Sequence, residues 1–135
     1  MKIYVDECLP HWLAKPLAEI FKKHTFKSSH TENLWGMEDV PLFQELGLRD
    51  YDLIITEDAR QLLSGDERVG LRDAGLTWVG VPQPETSGYH SISEIMSTVV
   101  TGLPFIFADG TEAPQAFRLQ PALNVEKRAP SVELL

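Results

Sequence analysis

The stretch YDLIITED, residues 51–58, contains the clearest strand of the sequence. Its apolar residues Leu53, Ile54 and Ile55 follow one another without a polar residue between them. A strand with one face in water alternates apolar and polar residues, whereas an uninterrupted apolar run indicates a strand that is covered on both faces. Such strands are typical of parallel sheets with helices on both sides, so this stretch favours an α/β fold.

Strand and helix patterns alternate around this stretch, from residue 2 to about residue 82. The predicted strands are 2–5, a weaker one at 25–30, the apolar run at 53–55, and 76–82. The predicted helices run from Pro10 to about His24 with a kink or broken turn at Pro16, from Asp39 to about Gly47, and over 59–63, 67–74 and 91–101. The pattern predicts a three-layer α/β/α sandwich with a mainly parallel central sheet.

The C-terminal third of the chain has a different pattern. Asp109-Gly110 could turn a hairpin or a pair of edge strands within residues 103–121, and residues 126–135 have little periodicity. With 135 residues, the chain fits one hydrophobic core. The sequence therefore predicts a single domain over residues 1–125, followed by a mobile or partner-binding tail at 126–135.

Composition restricts the range of functions. The net charge of −8 disfavours a protein that binds nucleic acid through a broad basic surface, but it does not exclude an enzyme that meets phosphates through a bound cation. We expect no apolar stretch to approach the roughly 20 residues of a membrane helix, and Asp6, Glu7 and Pro10 interrupt any signal-peptide core. A cytoplasmic protein without a membrane partner is the expectation, and Cys8, the single cysteine, is expected to be a small buried residue.

Three acidic motifs stand where a ligand crevice would form in a parallel sheet, beyond the carboxyl ends of its strands. They are Asp6-Glu7 after the first strand, Glu38-Asp39 at the start of a helix, and Glu57-Asp58 after the apolar run. Carboxylates that converge repel one another unless a cation lies between them, and oxygen ligands suit magnesium or manganese. The motifs predict a metal site that would act on a phosphodiester. Taken singly, Asp39 and Asp58 could each be only an N-cap.

The same three motifs resemble those of PIN-like domains. The segments that carry the resemblance are MKIYVDECLP (1–10), GMEDVPLF (36–43) and DLIITED (52–58), and it covers roughly residues 1–82. The family includes the VapC-type toxin ribonucleases of bacterial toxin–antitoxin pairs. The resemblance implies a magnesium- or manganese-dependent endoribonuclease with an RNA substrate, an antitoxin partner and, by analogy, a homodimer.

Carried over by position, the resemblance makes Asp6, Asp39 and Asp58 the catalytic, metal-binding carboxylates. Further candidates for the metal are Glu7, Glu38, Glu57 and Asp66. Many relatives have another acid two residues after the third motif, where this chain has Arg60. This departure leaves open a PIN-like module with weakened catalysis that serves binding or regulation, and it also makes Arg60 a candidate contact for a substrate phosphate.

Other residues are candidates for substrate contacts. Arg68 and Arg72 are four residues apart and would share a helix face, either as a basic edge or as a solvated face balanced by nearby acids. Trp35 is a candidate contact at the rim of the site, whereas Trp12 and Trp78 are expected in the core.

A phospho-acceptor receiver domain is a further alternative, because it also uses an acidic pair after strand one, an Asp after strand three and magnesium. The absence of lysine from WVGVPQPE, residues 78–85, weighs against it.

Overall fold

A sheet of five parallel strands, in the order β2-β1-β3-β4-β5, forms the centre of the molecule in the computed structural model, which describes residues 1–109 and 112–135. The strands are β1 (Lys2–Val5), β2 (Thr25–Ser28), β3 (Leu53–Thr56), β4 (Thr77–Gly80) and β5 (Ala116–Arg118). The helices are α1 (Ala14–Ile20), α2 (Ser29–Glu32), α3 (Asp39–Leu48), α4 (Gly65–Asp73) and α5 (Tyr89–Ala108). Short 3₁₀ turns cover His11–Leu13, Ala59–Leu62 and Val125–Lys127. The predicted three-layer α/β/α sandwich with a parallel central sheet is confirmed.

Alternating residues of the central strands pack on opposite faces of the sheet, which accounts for the uninterrupted apolar run in β3. Leu53 and Ile55 belong to a buried cluster with residues of α1 and α5. Ile54 belongs to a second cluster with residues of α3 and α4. All three side chains are fully buried, so both faces of β3 are covered by helices as the sequence predicts.

The strand order places the ends of β1 and β3 side by side. Val5 of β1 pairs with Ile55 of β3, and the backbone N–H of Asp6 extends this pairing by donating to the carbonyl of Ile55 at 2.9 Å. The chain winds outward in opposite directions from this pair of strands, with β2 on one side and β4 and β5 on the other. In open parallel sheets, a crevice for ligands forms at such a reversal, beyond the carboxyl ends of the strands.

The first predicted helix is divided and shorter than expected. A 3₁₀ turn precedes α1, Pro16 lies in the first turn of α1, and the helix ends at Ile20 instead of near His24. Phe21 leaves the helical conformation, and its ring packs edge-on against Phe107 at 5.3 Å between centroids. The helix therefore ends where the ring of Phe21 packs against Phe107, before the basic residues that the sequence predicts at its end.

Two further boundaries differ from the prediction because of local interactions. The strand expected at 25–30 ends at Ser28, where a reciprocal capping interaction with Thr31 begins the short helix α2. Gly47 does not end α3, which continues to Leu48. A Cβ at Gly47 would lie 3.0 Å from the carbonyl oxygen of Ala74, so this glycine permits close contact between α3 and the end of α4.

The C-terminal third is organised around α5, which begins two residues before the predicted start and continues through Pro104 to Ala108. The hairpin or edge-strand pair expected within 103–121 is replaced among the described residues by this helix and by one edge strand, β5, which pairs parallel with β4. The proposed turn at Asp109-Gly110 reaches residue 110, which lies outside the described residues. Residues 126–135 are exposed.

One helix within the described ranges, α5, is long and apolar enough to cross a membrane, with a mean hydropathy of 1.4 over an 18-residue window. The expectation that no apolar stretch approaches this length is therefore wrong. However, α5 packs Ile95, Val99 and Leu103 into the core beside the sheet. Its buried Glu94 accepts a hydrogen bond from the hydroxyl of Thr86 at 3.3 Å. This packing is compatible with the core helix of a soluble protein.

Gly80→Ala is expected to destabilise the fold, because a Cβ at Gly80 would overlap the ring of the fully buried Trp78. Overpacking of this kind costs about 1–3 kcal/mol of the free energy of unfolding. The matched control is Gly65→Ala, since nothing lies within 4 Å of a Cβ built there. Urea denaturation measures both variants, and equal midpoints for the two would contradict the packing assigned to Trp78.

Candidate functional site

Asp6 is the buried centre of a polar cluster at the carboxyl ends of β1 and β3, with only 5% of its surface exposed. Its Oδ2 accepts a hydrogen bond from the Thr56 hydroxyl at 2.7 Å and another from Nε2 of Gln61 at 3.2 Å. Its Oδ1 accepts from the backbone N–H of Glu7 at 2.9 Å. Burial raises the pKa of Asp6 above its usual 3.8, and these hydrogen bonds oppose that shift without cancelling it.

Gln61 joins Asp6 to a second carboxylate. Its Nε2 donates to Oδ1 of Asp39 at 2.8 Å as well as to Asp6, and only 2% of the residue is exposed. The Nε1–H of Trp78 donates to Oε1 of Gln61 at 3.2 Å. Because an indole N–H can only donate, it fixes the amide with its oxygen toward Trp78 and its NH2 group toward both carboxylates. One amide group therefore holds two acidic motifs together.

Asp39 takes part in this cluster through its side chain and is not a helix cap. The N-cap of α3 is Glu38, which makes no side-chain capping bond. Burial raises the pKa of Asp39, and the charges of Glu67, Asp58 and Asp6 add to the shift. The alternative that Asp39 is only an N-cap is therefore wrong.

Asp58, from the third motif, is held by Arg60. It is the N-cap of the 3₁₀ turn Ala59–Leu62, and its Oδ1 accepts from the backbone N–H of Arg60 at 3.0 Å. The guanidinium group donates to both carboxylate oxygens, each at 2.9 Å. Hydrogen bonding to Arg60 lowers the pKa of Asp58. The capping role considered for Asp58 is confirmed, and the carboxylate is paired with a cation of its own chain.

Thr56 connects Asp58 with Asp6. Its fully buried hydroxyl donates to Asp6 and accepts from the backbone N–H of Asp58 at 3.0 Å. Cys8 also lies here: its sulfur is 3.2 Å from the Thr56 hydroxyl and accepts from the backbone N–H of Glu57. Burial of the sulfur and the charge of Asp6 raise the pKa of the Cys8 thiol to about 11. The residue as a whole is exposed, so the expectation of a small buried Cys8 is wrong.

The remaining acidic candidates have different surroundings. Glu7 turns away, and its Oε2 accepts from the backbone N–H of Gly36 at 2.8 Å. Glu57 lines a cleft of about 530 Å³ together with Asp58 and Arg60, and burial raises its pKa. Asp66 lies in the first turn of α4 and lines a larger cleft, of about 830 Å³, between α3 and α4.

The candidate substrate contacts separate into two groups. Arg60 lines the cleft beside Asp58, with 82% of its side chain exposed. Arg68 and Arg72 share a face of α4, as predicted, but line a different small cleft. Arg68 donates to the carbonyl of Leu62 at 2.7 Å, and Arg72 pairs with Asp73 at 3.5 Å. The structure therefore does not bring these two arginines to the carboxylates.

The three tryptophans also differ in their surroundings. Trp78 is buried in the core, as predicted, and its indole N–H serves Gln61. Trp12 is 38% exposed, so its predicted place in the core is wrong. Trp35 is 63% exposed.

A metal ion could use only part of the predicted carboxylate set in this arrangement. Within residues 1–109 and 112–135, no group of three His, Cys, Asp or Glu side chains is placed to hold a metal ion. Asp58 is paired with Arg60, so Asp6 and Asp39 are the two of these three carboxylates that remain available to a cation. Magnesium is commonly held by one or two carboxylates, several waters and substrate phosphates, so this pair has the required donor chemistry. A cation shared by the pair would compete with the Nε2 of Gln61.

Comparisons with known proteins do not identify the chain. No protein-family model, no curated protein and no solved structure matches it. The PIN-like resemblance therefore rests on the three acidic motifs alone.

The raised pKa of Asp6 predicts a pH-dependent stability. A carboxyl whose folded-state pKa is raised stabilises the fold fully below its unfolded pKa of about 3.9, and this contribution is lost as the pH rises through the folded-state pKa. Wild type should therefore lose thermal stability relative to Asp6→Asn between pH 4 and pH 8, roughly 4 °C for each unit by which the pKa is raised.

Thermal unfolding of both proteins in EDTA at several pH values measures this difference. The hydrogen bonds that asparagine cannot reproduce are lost at every pH and therefore do not change the slope. A difference in Tm that is constant with pH would show that burial does not perturb Asp6.

Proposed function

We propose that this protein is a metal-dependent endoribonuclease of PIN-like type that acts in the cytoplasm and hydrolyses RNA phosphodiesters. The observation that supports this most strongly is the pair Asp6 and Asp39, one buried and one half-buried carboxylate, which share one amide donor at the carboxyl ends of β1 and β3. Within the part of the chain that the structure describes, neither carboxylate accepts a hydrogen bond from Lys or Arg. Two converging carboxylates that accept no hydrogen bond from a side-chain cation favour a divalent cation as their partner.

The donor set assigns roles to the residues. Asp6 and Asp39 would hold magnesium or manganese, and the bound ion would orient the phosphodiester, stabilise developing charge and lower the pKa of an attacking water. Gln61, oriented by Trp78, positions the two carboxylates. The exposed guanidinium of Arg60, beside the cleft, would contact a substrate phosphate through charge-assisted hydrogen bonds.

The three acidic motifs extend the proposal to a biological role. Their resemblance to VapC-type toxins supports a toxin of a toxin–antitoxin pair, with an antitoxin as protein partner and a homodimer as assembly. An antitoxin segment carrying a basic side chain would complement the acidic cluster and block access of the substrate.

Asp6→Asn and Asp39→Asn are each expected to abolish RNA cleavage that wild type performs with magnesium or manganese, a loss of at least about 100-fold in rate. The assay follows a labelled single-stranded RNA by gel electrophoresis, with and without EDTA. Asp73→Asn is the matched control, because this exposed aspartate pairs with Arg72 and lies outside the cluster. If wild type cleaves no RNA that the two variants leave intact, the nuclease proposal is wrong.

The ion pair between Asp58 and Arg60 supports a second candidate, a PIN-like module with weakened catalysis that serves binding or regulation. Both oxygens of Asp58 accept from the guanidinium, so this carboxylate is paired and not available to a cation while the contact persists. This candidate uses the same fold and the same surface, and it differs from the nuclease in the availability of Asp58.

Arg60→Ala is expected to free Asp58 and tighten manganese binding by about two- to five-fold. This factor corresponds to the free energy that an exposed ion pair such as Arg60–Asp58 typically contributes. Isothermal titration with manganese at constant pH measures the affinity. Arg72→Ala, which breaks the exposed pair with Asp73, is the control and should bind manganese as wild type does. Cleavage by Arg60→Ala where wild type cleaves nothing would favour the second candidate. Equal manganese affinities would exclude Asp58 from the metal site.

The receiver-domain alternative gains little support. Such a domain requires a lysine beyond the last strand, and the residues after β5 are Leu119, Gln120 and Pro121. Asp58, its acceptor candidate, is paired with Arg60.

A further inference from the structure

Three aromatic rings form a stack on the surface that follows the edge strand β2. The ring of His11 meets that of His30 edge-on, with 4.6 Å between centroids. The ring of His30 lies nearly parallel to that of Trp35, at 5.4 Å and 16°. All three residues are exposed, and within the described residues His30 provides the one ring stacked on Trp35. A large part of the indole surface therefore faces solvent.

The exposure of Trp35 does not result from a loose loop. On one side, the neighbouring Leu34 is buried, and its backbone N–H donates to the carbonyl of Ser29 at 3.2 Å. On the other side, Gly36 has a φ of +77°, and its N–H donates to Oε2 of Glu7 at 2.8 Å. Both neighbours are fixed, so the indole is held outward before any ligand arrives. Such preorganisation reduces the entropy lost on binding.

The contact between Glu7 and Gly36 also fixes the stack beside the carboxylate cluster. Glu7 directly follows Asp6, whose carboxylate is the centre of that cluster. His30 follows the carboxyl end of β2, which is the strand next to β1. The stack and the cluster therefore lie at the same end of the sheet, on neighbouring strands.

We infer that the stack of His11, His30 and Trp35 is a subsite for one unpaired nucleobase, which would stack on the open face of Trp35. This inference rests on the proposed ribonuclease function, and it names the part of the RNA that the protein would recognise. Every base presents a π face, and bases in single strands are free to stack on aromatic side chains. Bases inside a duplex are already stacked on one another, so the subsite favours single-stranded RNA.

The charge of the protein is a second reason to expect a base contact. At a net charge of −8, the surface offers little general attraction for phosphates. Stacking on an aromatic ring does not depend on net charge, so it gives an acidic protein a way to hold RNA close to its cleavage site. A stacked base one or a few nucleotides from the scissile phosphate would also set the register of cleavage.

The test measures binding separately from cleavage. Fluorescence anisotropy follows a labelled, unstructured single-stranded RNA, and the same RNA annealed to its complement, titrated with the 135-residue protein in EDTA. Trp35→Ala should weaken single-strand binding roughly 10-fold, and Trp35→Phe should restore most of it because it keeps a stacking ring. Phe105→Ala is the matched control, since Phe105 is 78% exposed beside β5, at the opposite edge of the sheet.

The proposal is overturned if Trp35→Ala binds the single strand as tightly as wild type, if Phe105→Ala loses as much affinity, if wild type prefers the duplex, or if wild type binds no RNA. Its failure can be distinguished from failure of the nuclease proposal. Binding that depends on Trp35, without any metal-dependent cleavage, would keep the subsite and reject the nuclease. If wild type cleaves RNA, and Trp35→Ala binds that RNA with equal affinity and cleaves it at the same positions, the subsite is rejected and the nuclease proposal is kept.

Discussion

The amide of Gln61 is the interaction on which the arrangement of the carboxylate cluster depends. It donates to Asp6 and Asp39 from one nitrogen, so the buried Asp6 and the half-buried Asp39 approach the same point. Two charges about 5 Å apart repel by roughly 3 kcal/mol at an effective dielectric of about 20. Hydrogen bonds to charged groups contribute about 1.5–3 kcal/mol each, so the two bonds from this amide are together large enough to offset the repulsion. Burial is the largest cause of the raised pKa of both acids, and the charge of Asp6 adds to the shift at Asp39.

The orientation of this amide is determined in the hydrophobic core. Trp78 fills the space between the sheet and the helices α3 and α4, and its indole N–H fixes the oxygen of Gln61. The ring in turn requires the absence of a side chain at Gly80, two residues later on the same face of β4. Core packing and the geometry of the site are therefore coupled through Trp78. A substitution that disturbs this ring would alter the carboxylates without touching them.

Sequence patterns were sufficient for the parts of the structure that depend on local composition. The apolar run of β3 predicted a strand covered on both faces, and the positions of Asp6 after a strand and Asp39 at the start of a helix predicted their convergence. The role of Gln61 could not be predicted, because a glutamine in a short turn has no distinctive spacing and its partners are 22 and 55 residues away. Arg60 was recognised as a departure from the family pattern. Its bidentate contact with Asp58 depends on the 3₁₀ turn, which places residues 58 and 60 side by side.

The length of α5 was missed for a related reason. The helix predicted at 91–101 continues through Pro104 to Ala108, with Leu103 and Ile106 both buried in the core. A proline removes one backbone donor and costs about 3 kcal/mol or more in an isolated helix. Burial of two large apolar side chains contributes about 1.5–3 kcal/mol each, which is enough to offset this cost. Tertiary packing therefore outweighs the local preference, and the residues expected to form a hairpin extend the helix instead.

The acidic character of the chain connects the cluster with the proposed RNA substrate. Negative charge at the site repels phosphates unless a divalent cation reverses the local potential, so the metal would be required to bring the scissile phosphate to the carboxylates as well as for chemistry, whereas stacking of a base on Trp35 needs no metal. Among the described residues that line the cleft with Asp58, Arg60 is the one with a cationic side chain, and it is already paired with Asp58. A substrate phosphate would have to compete with that carboxylate for the guanidinium. If a cation drew Asp58 away, Arg60 would become free for the phosphate, and metal binding and substrate binding would then reinforce each other through this one ion pair.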